Sequence, residues 1–249
     1  MENDEDLFFK IINEISSSYK IRDKDNWLDI GCGNGDLTYL INSQNINCIG
    51  IDVEFKEGLN IDKLVDEKKV RLIETINNSR RELENFNSKY RWPCPSESIT
   101  FSFSSSVIEH VINIEEFISE NSRVIKKGGL SIHYFPSKYA LFEAHTGIPF
   151  GGIFINLRYY QLMTKLRLCN GNFRDHIESF KYMQSSTNYI NKKALINQFE
   201  KEKLYFLEER NDLIVKTKGG VFMKYLSRSK FFCFIFGLLR SRLLIFIKN

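Results

Sequence analysis

Proline is scarce in this chain, 4 of 249 residues, which argues against a proline-rich linker protein. Cys32, Cys48, Cys94, Cys169 and Cys233 are odd in number, widely spaced and never paired as CxxC. Neither a disulfide framework nor a cysteine-rich zinc site is expected, and no metal ligands are assigned. No apolar run reaches the ~18 residues of a membrane span. The opening MENDEDLFFK is acidic and has no signal-peptide core. A soluble protein of a reduced cytoplasm is the expectation.

Acidic residues are missing from the end of the chain. After Asp212 none occurs, while Lys216, Lys218, Lys224, Arg228, Lys230, Arg240, Arg242 and Lys248 follow. The formal net charge of +4 therefore hides a basic tail on a net acidic body. Beside those charges lie the runs Phe231–Phe236 and Leu243–Ile247. They suit a peripheral contact with an anionic membrane. Short buried elements also read as continuous apolar runs, and a buried helix and strand is the preferred expectation.

What is present is a globular composition, 43% hydrophobic and 27% charged, rich in phenylalanine and tyrosine. A chain of this length buries on the order of 70–75% of its unfolded surface, enough for a full core. Leu7, Phe8, Ile11, Ile12 and Ile15 fall at helical spacing over 4–18. Short apolar runs at 27–30, 48–51, 70–73, 98–103 and 130–135 predict strands, and the stretches from 36 and from 115 to 126 predict helices, the latter stopped by Lys127-Gly128-Gly129. After an irregular, aromatic stretch over 137–186, a helix at 192–200, a strand at 213–215 and a last strand at 243–247 are expected. Alternating strands and helices imply an α/β, doubly wound, mostly parallel sheet. No repeat or linker divides the chain. One domain is expected, with a core of 20–136 and 187–249 and a cap of about 137–186.

The run Trp27–Ile30 leads into Gly31-Cys32-Gly33-Asn34-Gly35 and then a helix, and Asp52 ends the second strand. Glycines let the backbone approach a ligand, a helix amino end offers free N–H groups, and an acid in that position can bind both ribose hydroxyls. The dinucleotide pattern GxGxxG fails because position 36 is Asp, and no Gly-Lys-Ser/Thr of a P-loop follows. A nucleoside without a pyrophosphate remains.

The stretch Leu28–Gly35 resembles the first motif of class I S-adenosylmethionine-dependent methyltransferases. Arg91–Ser98 resembles their "LPFPDNSFD", Ser105–Val111 their "S-x-V-x-E-H-V", and Glu120–Gly129 their "E-I-x-R-V-L-K-P-G-G". The four motifs, in order, cover about 26–136, in a type 11-like family. Thr100 and Lys127 depart from the pattern, replacing the usual Asp and Pro. The resemblance implies a Rossmann-like seven-stranded sheet with an antiparallel last strand, and S-adenosyl-L-methionine as cofactor. It implies that Asp29, Gly31, Cys32, Gly33 and Gly35 hold the amino-acid end, although Cys32 itself reads as a small buried residue. Asp52 would take the ribose, with Val53 or Glu54 beside the adenine, and Ser105 and Ser106 would face the methionine and sulfonium.

A hydroxyl acceptor must also lose a proton, usually to His, Asp or Glu. His110 lies in the "E-H-V" motif at the cofactor rim. Glu143 and His145 share one side of a segment expected to be extended, where the carboxylate can orient the imidazole. His133, inside a strand, reads as a core residue. Tyr139, Phe142, Phe150, Phe154, Tyr159, Tyr160 and Phe173, with Arg158, Arg167 and Arg174, suit a sugar, a nucleotide sugar or a lipid-linked glycan. They also suit a core for the cap. Nucleic acid is not expected, since no compact basic cluster lies near the motifs. A catalytically inactive methyltransferase fold used for binding is the non-enzymatic alternative.

Overall fold

The computed structural model describes residues 4–21, 25–58, 60–73, 91–218 and 221–249. Helix α1 (Asp4–Ser18) carries Asp4, Glu5 and Asp6 in its first turn, where the helix dipole favours acids, and buries Phe8, Ile11, Ile12 and Ile15 on one face. The chain then alternates through β1 (Trp27–Ile30), α2 (Asp36–Ser43), β2 (Cys48–Asp52), α3 (Ile61–Asp66), β3 (Val70–Leu72), β4 (Ile99–Ser105), a 3-10 turn Ile108–His110, α4 (Ile114–Val124) and β5 (Ile125–Pro136). An insertion with α5 (Leu157–Lys165) and α6 (His176–Ser186) follows. The remainder is α7 (Lys192–Lys201), β6 (Leu204–Glu209), α8 (Asn211–Lys218), α9 (Val221–Leu226), α10 (Lys230–Leu239) and β7 (Ser241–Lys248).

The strands form one sheet in the order β3-β2-β1-β4-β5-β7-β6. β7 runs antiparallel to both of its neighbours, and the pairings among β1 to β5 are parallel. This is the Rossmann-like, doubly wound sheet with an antiparallel last strand that the sequence predicts. Successive side chains point to opposite faces. Trp27, Phe101 and Phe103 thus join α1, α2 and α8 in one core, and Leu28 and Ile30 join α4 and α7 in the other. The strand order reverses between β1 and β4, which opens a crevice at their carboxyl ends.

His133 sits inside β5 and has no exposed surface. It joins a polar network with Ser104, Ser131 and Asn121, and burial pushes its pKa down to about 3.

Several expectations change. The 213–215 run is not a strand but the middle of α8, whose Leu213, Ile214 and Val215 are all buried. α8 packs against α1, α9 and α10, and three adjacent apolar residues fit a helix covered on more than one side. The strand lies earlier, at β6, on the sheet edge, with Tyr205 and Leu207 exposed. α4 does not run on to a glycine stop. It ends at Val124, and buried Ile125 turns straight into β5 to pair with Ile99. Gly128, at φ +75°, shapes a turn within β5 instead. The preferred burial of both tail runs holds for β7 only. α10 leaves Phe231 75% and Phe234 58% exposed.

The insertion has a small core of its own, Ile148, Tyr160 and Met183. Tyr160 is therefore packing and not contact surface. Its far end, Ser186 to Asn188, lies against the 3-10 turn after β4: Asn188 N–H donates to the Glu109 carbonyl at 2.6 Å.

Candidate functional site

The turn after β1 is pinned to the end of β2. Gly31 and Cys32 N–H both donate to the Ile51 carbonyl, at 2.8 and 3.1 Å. Gly31 has φ +75°, and a Cβ there would stand 2.4 Å from Val107 Cγ2. Only glycine fits this floor. Asp52 accepts from Gly33 N–H at 2.8 Å and from Val53 N–H at 2.7 Å. The carboxylate at the strand end thus has a structural task as well, fixing the loop it faces.

Two hollows meet above this turn. One of about 270 Å³ is bordered by Gly31, Gly33, Asp52, Val53, Ser106 and His110. The other, about 300 Å³, is bordered by Asp29, Gly31, Cys32, Ser105, Ser106 and Tyr134. Gly31, Ser105 and Ser106 belong to both, so the two adjoin at the end of β4. Ser106 holds φ +56°, uncommon for a residue with a side chain, and its N–H donates to the Tyr134 carbonyl at 2.8 Å. Asp29 is buried and accepts from the Thr38 hydroxyl at 2.8 Å. Burial drives its pKa up to about 7, against the lowering by Thr38, with Asp52 adding to the rise. Gly35 borders neither hollow. It starts α2, and a Cβ there would stand 2.7 Å from Leu64 Cδ1. Burial also pushes the Cys32 thiol up.

These features fit S-adenosylmethionine. A buried acid could take the ammonium of the amino-acid end, a strand-end carboxylate could take the ribose, and a backbone floor without side chains lies between. Asp29, Gly31, Gly33, Asp52, Val53, Ser105 and Ser106 can hold it.

Beyond the second serine lies a cluster of titratable side chains. His145 is brought to Glu143 not by an extended segment but by a tight turn, in which Gly147 N–H donates to the Glu143 carbonyl at 2.9 Å. The Glu143 carboxylate accepts from His145 Nδ1 at 2.8 Å, Tyr189 hydroxyl at 2.6 Å, Thr146 N–H at 2.6 Å and Thr146 hydroxyl at 2.7 Å. Burial alone would raise its pKa, but these bonds outweigh it and hold the carboxyl down at about 2. Burial likewise opposes the charged form of His145, yet Glu143 and Glu109 raise its pKa. His145 Nε2 faces His110 Nε2 at 3.1 Å, and His110 Nδ1 faces the Ser186 carbonyl at 2.7 Å. His110 borders the hollow that Asp52 and Val53 line, so a chain Glu143–His145–His110 ends at its rim.

Two participants escaped the sequence reading. Tyr189 gave no local signal. Glu109 stood in plain view in the "E-H-V" motif beside His110. It is 2% exposed, and neither carboxylate oxygen has a hydrogen-bond partner among the described residues. An unmade bond to a buried polar group costs about 1–3 kcal/mol. Burial pushes its pKa up to about 8, outweighing the lowering by its own amide and His145.

Residues 28–133 match the family model described as Methyltransferase domain. Together with this sheet and site, that match marks residues 28–133 as a Rossmann-like methyltransferase domain, with S-adenosylmethionine as its cofactor. No curated protein matches it. Among solved structures, the YcgJ protein of Bacillus subtilis is similar at 15% identity and TM-score 0.51, over 97% of this chain and 99% of that one. An S-adenosylmethionine-dependent methyltransferase of Mesorhizobium loti is similar at 9% identity and TM-score 0.54, over 90% and 91%. A geranyl diphosphate C-methyltransferase of Streptomyces coelicolor A3(2), solved with Mg2+, geranyl diphosphate and S-adenosyl-L-homocysteine, is similar at 11% identity and TM-score 0.51, over 98% and 83%. At these identities the likeness is one of fold.

Proposed function

We propose that this methyltransferase transfers its methyl group to a hydroxyl of a sugar or glycan precursor, acting as one unit of core and cap. The observation that carries the reading is the Glu143–His145–His110 chain ending at the rim of the cofactor hollow. S-adenosylmethionine supplies a methyl group already activated on a sulfonium, so the chain's own residues need to align the acceptor and keep water out. A hydroxyl acceptor asks for one thing more, withdrawal of its proton. Glu143 stays ionised and holds the His145 Nδ1–H, which turns Nε2 toward His110. The imidazole pair is where the proton is withdrawn.

The cap also exposes Tyr139, Phe142 and Phe154, rings that suit stacking on a sugar, and Arg158, Arg167 and Arg174 for a phosphate or carboxylate.

A second reading, in which the glycan is carried on a lipid at a membrane surface, has its own support. On α10, Phe231 and Phe234 are exposed, as are Phe222 and Tyr225 on α9. Lys224, Arg228, Lys230 and Arg240, also exposed, surround them. Leu141 N–H donates to the Leu239 carbonyl at 2.8 Å, so exposed Leu141 and Phe142 continue that apolar surface to the door of Glu143. No helix among the described residues is long and apolar enough to cross a membrane. Contact would be peripheral, through aromatic and cationic side chains.

Methyl-labelled S-adenosylmethionine incubated with sugars, nucleotide sugars and lipid-linked glycans tests both. Label is expected on a hydroxyl. His145→Ala is expected to lower turnover about 100- to 10,000-fold and leave cofactor affinity within about two-fold. Unchanged turnover in that variant, or label found only on carbon or nitrogen, overturns the reading.

A further inference from the structure

Proton withdrawal does not account for everything at Glu109, His110 and His145. The His110 Nδ1 faces a backbone carbonyl and the His145 Nδ1 an ionised carboxylate. Both partners can only accept, so each Nδ1 carries its hydrogen. In the neutral rings each Nε2 then presents a lone pair, and these two atoms stand 3.1 Å apart. Lone pairs at that range repel unless a cation draws both.

A proton alone would reconcile the two rings, but it leaves Glu109 as it is. That carboxylate is buried beside them with both oxygens lacking a hydrogen-bond partner among the described residues. One ligand atom from each of the three residues lies within 4.8 Å of the others. Two nitrogens bound to one tetrahedral zinc ion, at ~2.0–2.1 Å each, lie roughly 3.3 Å apart, close to the spacing here. The outer partners match as well. A metal-bound imidazole commonly donates its other N–H to a carboxylate or a backbone carbonyl, the roles that Glu143 and Ser186 fill.

We propose that Glu109, His110 and His145 bind a divalent transition-metal ion, with zinc the best match to two imidazoles and one carboxylate. Three protein ligands on zinc leave a fourth position for an outside oxygen. Since His110 borders the cofactor hollow, that position suits the acceptor hydroxyl; with both Nε2 lone pairs on the ion, the ion would acidify that hydroxyl and its proton would leave to solvent, in place of withdrawal by the imidazole pair. This role for the ion rests on the methyl-transfer reading, whereas binding of the ion does not.

The test uses the full chain, stripped with a chelator and titrated with Zn2+ by calorimetry and with Co2+ by visible absorption. One ion per chain is expected, with a Co2+ spectrum of low coordination number. His110→Ala, His145→Ala and Glu109→Gln are each expected to weaken Zn2+ binding at least about ten-fold. Glu109→Gln keeps the side chain's shape, and circular dichroism of the metal-free variant checks its fold. Cys169→Ser, which removes a partly exposed thiol, should leave binding unchanged. Absence of saturable binding, equal affinity in Glu109→Gln, or loss of binding in Cys169→Ser overturns the site. Full methyl transfer by the stripped protein overturns the ion's role and leaves the function intact. Zn2+ binding lost in the three variants, without methyl transfer to any acceptor, upholds the site while sinking the function.

Discussion

The hollow that fits the cofactor and the side proposed for the acceptor are built on different plans. On the cofactor side the shape comes from main chain: the Gly31 floor, the amides that Ile51 and Asp52 pin, the left-handed Ser106. On the acceptor side it comes from side chains reaching across the fold, with His110 from the turn after β4, Glu143 and His145 from the insertion, and Tyr189 from beyond α6. A backbone-built site tolerates change in most side chains but none in its glycines. A site built from side chains has the opposite sensitivities.

The largest expected effect follows from that difference. Gly31→Val, forced toward Val107, should abolish measurable S-adenosylmethionine binding by calorimetry, a loss of at least about 100-fold, from a clash that costs several kcal/mol. Retained binding would mean that the floor is softer than described. Glu143→Gln removes the charge behind His145 without touching the cofactor hollow. Turnover should fall about 10- to 100-fold while cofactor affinity stays put, and a joint loss of both would erase the division between the two sides.

A smaller effect belongs to the sheet beneath both sides. His133 titrates near 3 in the fold and about 6.5 in the unfolded chain, a depressed value, so its contribution to stability is present above 6.5 and is lost as pH falls toward 3. The loss should reach on the order of 5 kcal/mol at the acid end. Urea melts at several pH values, compared with His133→Gln, read it: the variant's profile should be flatter over that window. The smallest effect on stability is expected from Phe231→Ser with Phe234→Ser, within about 0.5 kcal/mol, because both rings are exposed. The same pair should reduce sedimentation with anionic vesicles at least several-fold. Unaltered sedimentation would detach the aromatic face from any membrane role.

Legibility in the sequence divides along the same line. The strand, glycine turn and strand-end acid lie within 27–52, and spacing alone places them. The ordered motifs carried the rest of the parallel sheet. Where side-chain periodicity had to choose between helix and strand, as at Leu213-Ile214-Val215, three adjacent apolar residues were ambiguous, and burial by α1 and α10 decided for helix. β6 was hidden because an edge strand with exposed Tyr205 and Leu207 lacks clean alternation. On the acceptor side, Glu143 and His145 were visible as near neighbours, but their link to His110 spans 35 residues and that of Tyr189 to Glu143 spans 46. No local pattern encodes such distances. Glu109 was missed for another reason: its oddity is an absence of partners, which only packing reveals.

The bond between Leu141 and Leu239 has a mechanical side. Together with the bond from Ser137 N–H to the Arg240 carbonyl, it staples the end of α10 to the lip of the acceptor opening at two points. Whatever grips that helix from outside therefore also sets the tilt of the threshold over which a substrate must pass.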